Sequence, residues 1–233
     1  APADQRAACG LADRVLLDEV EWLDASTLET TRHWRGTQPN ASFSRWDSVA
    51  DEARQKGLKG VFGHFGGSPG EPDALAARKA LLLLATVEPR PAAVLLVRDS
   101  DGDSQRRAGL EQARADKVWP FPVILGVAEP KRECWVLVGF EPKTEEETER
   151  LNEERQRLSF DPVREAHRLT AREHGAKKDA KRVLKQLTRD DPERERVCLE
   201  ETPLEVLERR GSETGLTAYL REVRERLVPV LGG

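Results

Sequence analysis

Two short apolar runs set the frame of this chain. Ala92-Ala93-Val94-Leu95-Leu96-Val97 and Phe121-Pro122-Val123-Ile124-Leu125-Gly126-Val127 are aliphatic, rich in β-branched residues and bounded by proline and polar turns. That pattern predicts two buried strands. Residues 104–116 predict a helix with Ser104 as its cap, and the leucines of residues 74–87 predict a second that packs on the sheet. Residues 131–140 predict a third, with Pro130 suited to its first turn. Strand, helix, strand, helix gives an α/β fold with a mostly parallel sheet flanked by helices.

Either side of this frame the pattern changes. Residues 5–13 read as helix behind Asp4 as a cap, and the period of residues 15–22 fits either a helix end or a strand. Residues 23–45 lack periodicity and read as a surface wrap. Residues 47–56 predict a helix stopped by Gly57, and residues 58–62 a short extended piece. Residues 143–230 are helical in pattern almost throughout, broken at Gly175, Asp190-Asp191-Pro192 and Gly211-Ser212. The organisation expected is an α/β domain over residues 1–142 and a charged helical region over 143–233 packed on it.

Charged residues make up 34% of the 233 and hydrophobic ones 38%, which places the chain among soluble, helix-rich proteins. No apolar stretch reaches the length of a membrane span. Cys9, Cys134 and Cys198 have no CxxC spacing, so they support neither a disulfide framework nor a zinc site. Buried structural thiols in a reducing cytoplasm are expected, and no signal peptide is visible. The net charge of −4 is unevenly spread. Residues 164–189 carry nine basic and three acidic side chains, and residues 141–154 are mostly acidic. The stripe containing Lys177, Lys178, Lys181, Arg182 and Lys185 has two readings, a track for a phosphate backbone or a solvated helix face. The chain has no Met and begins at Ala1, which fits a processed initiator or a first segment upstream.

The richest chemistry lies where the first strand ends. Asp99-Ser100-Asp101-Gly102-Asp103 sets three carboxylates at the edge of the sheet where open α/β folds bind ligands. Gathering like charges is costly unless a cation offsets them, and all-oxygen ligands suit Mg²⁺, Mn²⁺ or Ca²⁺. The plain alternative is a solvated turn. An EF-hand loop starting at Asp99 fails, because Ser104 stands where glycine is needed and Leu110 where glutamate is needed. A phosphatase-type site with Asp99 as nucleophile fits less well, since Gly102-Asp103 follows the Asp-x-Asp pair. Glu133, at the start of the helix after the second strand, is placed to approach this loop; otherwise it is a surface carboxylate favouring the helix N-terminus. Gly63-His64-Phe65-Gly66-Gly67-Ser68-Pro69-Gly70 lacks the Gly-Lys-Ser/Thr ending of a Walker A loop. Gly66 and Gly67 either bring backbone N–H groups to a phosphate or form a flexible connector. His64 is a core or supporting imidazole, or a base.

An apolar strand ending in Asp-x-Asp-Gly, then a helix, a strand and a Glu-x-Trp helix, resembles the Toprim fold of topoisomerases, bacterial primases and OLD-type nucleases. The closer resemblance is to the Toprim-like bacterial proteins of domain-of-unknown-function family 4276. It is carried by Gly63-His64-Phe65-Gly66-Gly67, Arg98-Asp99-Ser100-Asp101-Gly102 and Gly126-Val127-Ala128-Glu129-Pro130-Lys131-Arg132-Glu133-Cys134-Trp135. Ser159-Phe160-Asp161-Pro162 and Lys178-Asp179-Ala180-Lys181-Arg182-Val183-Leu184 add to it. The resemblance implies a Rossmann-like sheet and a Mg²⁺- or Mn²⁺-dependent nuclease acting on DNA or RNA. Asp99 and Asp101 match its metal-binding pair, with Asp103 a further ligand; Glu133 matches the Glu-x-Trp carboxylate and Lys181 a later lysine. It also implies a role in phage defence or a toxin system, sometimes beside an ATPase partner. The family's other carboxylate is a Glu ending the first strand, before a small-residue turn and a helix. Ala1-Pro2-Ala3-Asp4 looks like that turn, which places the strand and its Glu ahead of Ala1; Glu19 and Glu21 have no such turn after them. A non-catalytic Toprim-like binding or regulatory module acting with a partner protein is the alternative function.

Overall fold

The computed structural model describes residues 2–58 and 60–232. The first strand and Glu expected ahead of Ala1 lie outside these residues. Helix α1 (Pro2–Glu19) ends inside the stretch of ambiguous period at residues 15–22, which is therefore a helix end; Leu11, Ala12, Val15 and Leu16 share its buried face. Asp4 sits in its first turn rather than capping it. Within the expected surface wrap lies a short helix, α2 (Ala25–Thr31), where the Asp24 side chain accepts from the Thr27 N–H at 2.7 Å. Helix α3 (Val49–Gln55) ends as expected before Gly57, whose φ of +71° suits glycine.

The expected extended piece at residues 58–62 is not a strand among the described residues. A small antiparallel hairpin follows instead, β1 (His64–Phe65) and β2 (Ser68–Pro69). Gly66 and Gly67 form its turn with φ of +57° and +88°, the double left-handed geometry of a tight hairpin. These glycines therefore serve a turn rather than a loop opening directly into a helix. Helix α4 (Ala74–Ala85), strand β3 (Val94–Asp99), helix α5 (Gln105–Ala115), strand β4 (Val123–Ala128) and helix α6 (Arg132–Val138) then follow in the order the pattern predicts. Lys131 is the residue ahead of α6 and Pro130 lies one position further out, so the proline is not in the first helical turn.

β3 and β4 pair in parallel, Val94 with Val123 through to Asp99 with Ala128. All six residues of β4 are buried, which is why its sequence is a continuous apolar run rather than an alternating one. On one face Val94, Leu96, Leu125 and Val127 share a core with α3, α4 and α5. On the other, Ile124 and Ala128 join α1, α6 and the later helices. Those later helices are α7 (Glu145–Leu158), α8 (Ala180–Thr188), α9 (Pro192–Glu200), α10 (Leu204–Arg210) and α11 (Leu216–Glu222), ending in a π turn (Val223–Leu227) and α12 (Val228–Leu231). Tyr219 of α11 stacks on Trp135 at 5.1 Å and donates to the Ala8 carbonyl at 2.7 Å, tying α11, α6 and α1 together. The fold is α/β with about 53% helix and a parallel sheet of two strands. No described helix is long and apolar enough to cross a membrane.

Candidate functional site

The C-terminal edge of β3 is built by backbone hydrogen bonds that bend the chain sharply. The Ser100 N–H donates to Ala128 O at 2.8 Å and the Asp101 N–H to Pro130 O at 2.9 Å. Asp101 and Gly102 both take positive φ, +50° and +77°. Aspartate tolerates that region better than most residues with a side chain. The Asp103 carboxylate accepts from the Gln105 N–H at 3.0 Å, so it ties down the first turn of α5, the role expected of Ser104. In this structure Asp103, expected as a further metal ligand, serves the turn. The reason is reach, since an Asp side chain readily bonds the N–H two residues on.

Asp99 is the partly buried centre of the site. Its Oδ1 accepts from the Arg132 N–H at 2.9 Å, at the start of α6. Burial pushes its carboxyl up to about 7, and the neighbouring charges of Glu133, Asp4 and Asp101 push the same way against the Arg132 N–H. The structure therefore brings Asp101 and Glu133 each into electrostatic reach of Asp99. Two arginines stand among them. The buried Arg132 guanidinium is 2.9 Å from Glu195, 3.4 Å from Glu133 and 3.5 Å from Asp4. Arg106 is 3.0 Å from Asp101 and 3.6 Å from Asp73. Sequence reading missed these two arginines and Asp4 because Arg132 meets Asp4 of α1 and Glu195 of α9, and Arg106 meets Asp73 just ahead of α4, all far away in sequence.

The resemblance to Toprim proteins implies a divalent ion at this edge. Among the described residues no group of three or more His, Cys, Asp or Glu side chains is placed to hold a metal. Asp101 faces Arg106, Glu133 faces Arg132, and Asp103 holds the turn. As arranged, these residues do not fit the ion.

The basic segment meets the acidic loop from the other side. A Cβ built on Gly102 would lie 3.7 Å from Nη2 of Arg172. Beyond Arg172, Asp179 caps α8, accepting from Lys181 N–H at 3.1 Å and from Gly175 N–H at 2.9 Å. This turns Val183, Leu184 and Leu187 inward and leaves Lys181, Arg182 and Lys185 exposed with Lys177 and Lys178. Lys185 pairs with Asp190 at 2.7 Å. No hydrogen bond or ion pair among the described residues ties Lys181 to Asp99 or Asp101. His64 is exposed on the hairpin, and nothing lies within 4 Å of a Cβ built on Gly66 or Gly67. Cys134 and Cys198 are buried and Cys9 is partly so, all three unbridged. Burial pushes the Cys9 and Cys198 thiols up to about 12, which makes them inert. No family model, curated protein or solved structure matches this chain.

Proposed function

We propose that this chain is a Toprim-like module that binds nucleic acid across the face where the basic segment meets the acidic loop. The carrying observation is the approach of Arg172 to Gly102, which puts beside the C-terminal sheet edge the first of an exposed cationic series that continues in sequence through Lys177, Lys178, Lys181, Arg182 and Lys185. Such a strip neutralises backbone phosphates irrespective of sequence. Arg132 and Arg106 hold the carboxylates in check, which lets a polyanion approach a loop that would otherwise repel it. The Toprim-like sheet, a cytoplasmic setting, a phage-defence or toxin role and an ATPase partner belong to the same proposal. Fluorescence anisotropy with short labelled DNA and RNA tests it. Binding is expected at roughly 10⁻⁴–10⁻⁶ M near physiological salt, weakened several-fold by Arg172→Glu. Absence of binding even at low salt would remove the reading.

A second reading, metal-dependent phosphodiester hydrolysis, is supported by the gathering of Asp4, Asp101 and Glu133 about the half-buried Asp99, whose carboxyl burial pushes up. It requires Asp101 and Glu133 to leave their arginine partners when a cation enters. Cleavage of labelled DNA or RNA is measured with Mg²⁺ or Mn²⁺, comparing the chain with Asp99→Ala and Asp101→Ala. The reading expects each variant to lose ~10²-fold or more in rate, the scale for lost electrostatic stabilisers. Equal rates in all three proteins would eliminate it.

A further inference from the structure

Helices α7 and α8 pack side by side and run in opposite directions. Arg150, early in α7, donates to Leu187 O near the end of α8 at 3.2 Å. Arg157, late in α7, donates to Lys177 O ahead of α8 at 2.7 Å. Leu151 and Leu158 of α7 join Val183, Leu184 and Leu187 of α8 in one core, so each helix buries one face and leaves the other to solvent.

The two exposed faces carry opposite charge. On α7 the exposed acids Glu145, Glu149 and Glu153 recur every fourth residue, with Glu146 beside the first. From Lys177 to Arg189 every exposed side chain is a cation or Gln186. Lys181, Arg182 and Lys185 share a sector of about 100° on α8. One ion pair joins the rows, Arg189 with Glu146 at 3.6 Å, and Lys185 pairs with Asp190. Lys177, Lys181 and Arg182 have no ion pair among the described residues, nor have Glu145, Glu149 and Glu153.

The chemistry of this face narrows its ligand. A single strand is held by stacking its bases on aromatic rings as well as by charge. Residues 161–218 contain no Phe, Trp or Tyr. Phe160 is only 7% exposed, with Arg168 over its ring at 4.3 Å, and the exposed His174 turns Nδ1 to Asp179 at 3.7 Å. A lipid surface takes up apolar side chains, and those of α8 all face the core. The rigid row from Lys181 to Arg189 spans about 12 Å, the axial length of roughly four phosphates on one strand of a duplex. Packed helix axes stand roughly 8–10 Å apart, about one Debye length at physiological salt, so the acids of α7 repel a polyanion laid on α8.

We infer that the ligand of this face is a double-stranded nucleic acid whose phosphates lie along α8, and that the acidic row of α7 bars it from spreading onto that helix. This inference rests on the nucleic-acid reading, and the test separates the two. Anisotropy of the whole chain is measured with a labelled DNA duplex and with one of its strands alone, and co-sedimentation with phosphatidylserine vesicles. The duplex should bind at least about tenfold more tightly than the strand. Glu145→Gln/Glu149→Gln/Glu153→Gln should tighten duplex binding by about threefold or more. Glu21→Gln/Glu29→Gln/Glu88→Gln makes the same change in net charge away from α7 and should stay within about twofold of the parent. All six side chains are exposed, so both variants should melt with the parent. A strand bound as tightly as the duplex, no gain from the α7 variant, or equal gains from both variants would overturn the inference and leave nucleic-acid binding in place. Vesicles bound more tightly than the duplex would also overturn it. No binding to duplex or strand at low salt would remove both the inference and the reading beneath it.

Discussion

At the scale of single residues, Asp99 concentrates the tension in this molecule. In the folded chain its proton is held to about pH 7, against an ordinary value of 3.8. Folded protein therefore binds more protons than unfolded protein between roughly pH 4 and 7, and stability falls as pH rises through that window. Asp99→Asn keeps an oxygen for the Arg132 N–H and removes the titration. Its melting temperature should exceed that of the parent at about pH 8 by several degrees and match it near pH 4. A parallel pH profile for the two proteins would show that Asp99 is ionised without strain. Asp99, Asp101 and Glu133 were all legible as a group, because a buried strand ending in carboxylates fixes their place on the sheet edge. Arg132 was not, since a basic residue inside Lys-Arg-Glu reads as surface until α1 and α9 bring Asp4 and Glu195 to it.

At the scale of elements, Gly126 shows how closely β4 is covered. A Cβ there would lie 3.0 Å from the Tyr219 ring and 3.3 Å from Trp135. Gly126→Ala should destabilise the chain by about 1–3 kcal/mol, the usual range for overpacking, measured by urea unfolding. An unchanged midpoint would mean that the stacked pair yields freely. β3, β4 and the helix between them were readable because apolar runs and helical periodicity survive without tertiary context. The hairpin His64–Pro69 was not, since two-residue strands carry no period. Nor was the docking of α11 on β4, which depends on an aromatic stack between Trp135 and Tyr219, far apart in sequence.

At the scale of the whole molecule, charge is sorted although the net value is only −4. Acidic side chains are gathered around Asp99 and held by Arg132 and Arg106, and exposed cations lie along the adjoining segment from Arg172 to Lys185. The exposed row on α8 was legible from its spacing; the approach of Arg172 to Gly102 was not, because the stretch that carries Arg172 between α7 and α8 has no helical or strand period. That approach brings Arg172 to the acidic loop, and counterion release is the direct signature of the proposed interface. The decisive measurement is the salt dependence of binding to labelled duplex DNA. It compares the chain with the variant Lys177→Ala/Lys178→Ala/Lys181→Ala/Arg182→Ala/Lys185→Ala. Every phosphate that the variant no longer neutralises should flatten the plot of log K against log salt by about 0.9, so the combined slope should fall by several units. Superimposable lines for the two proteins would contradict a nucleic-acid interface on this face.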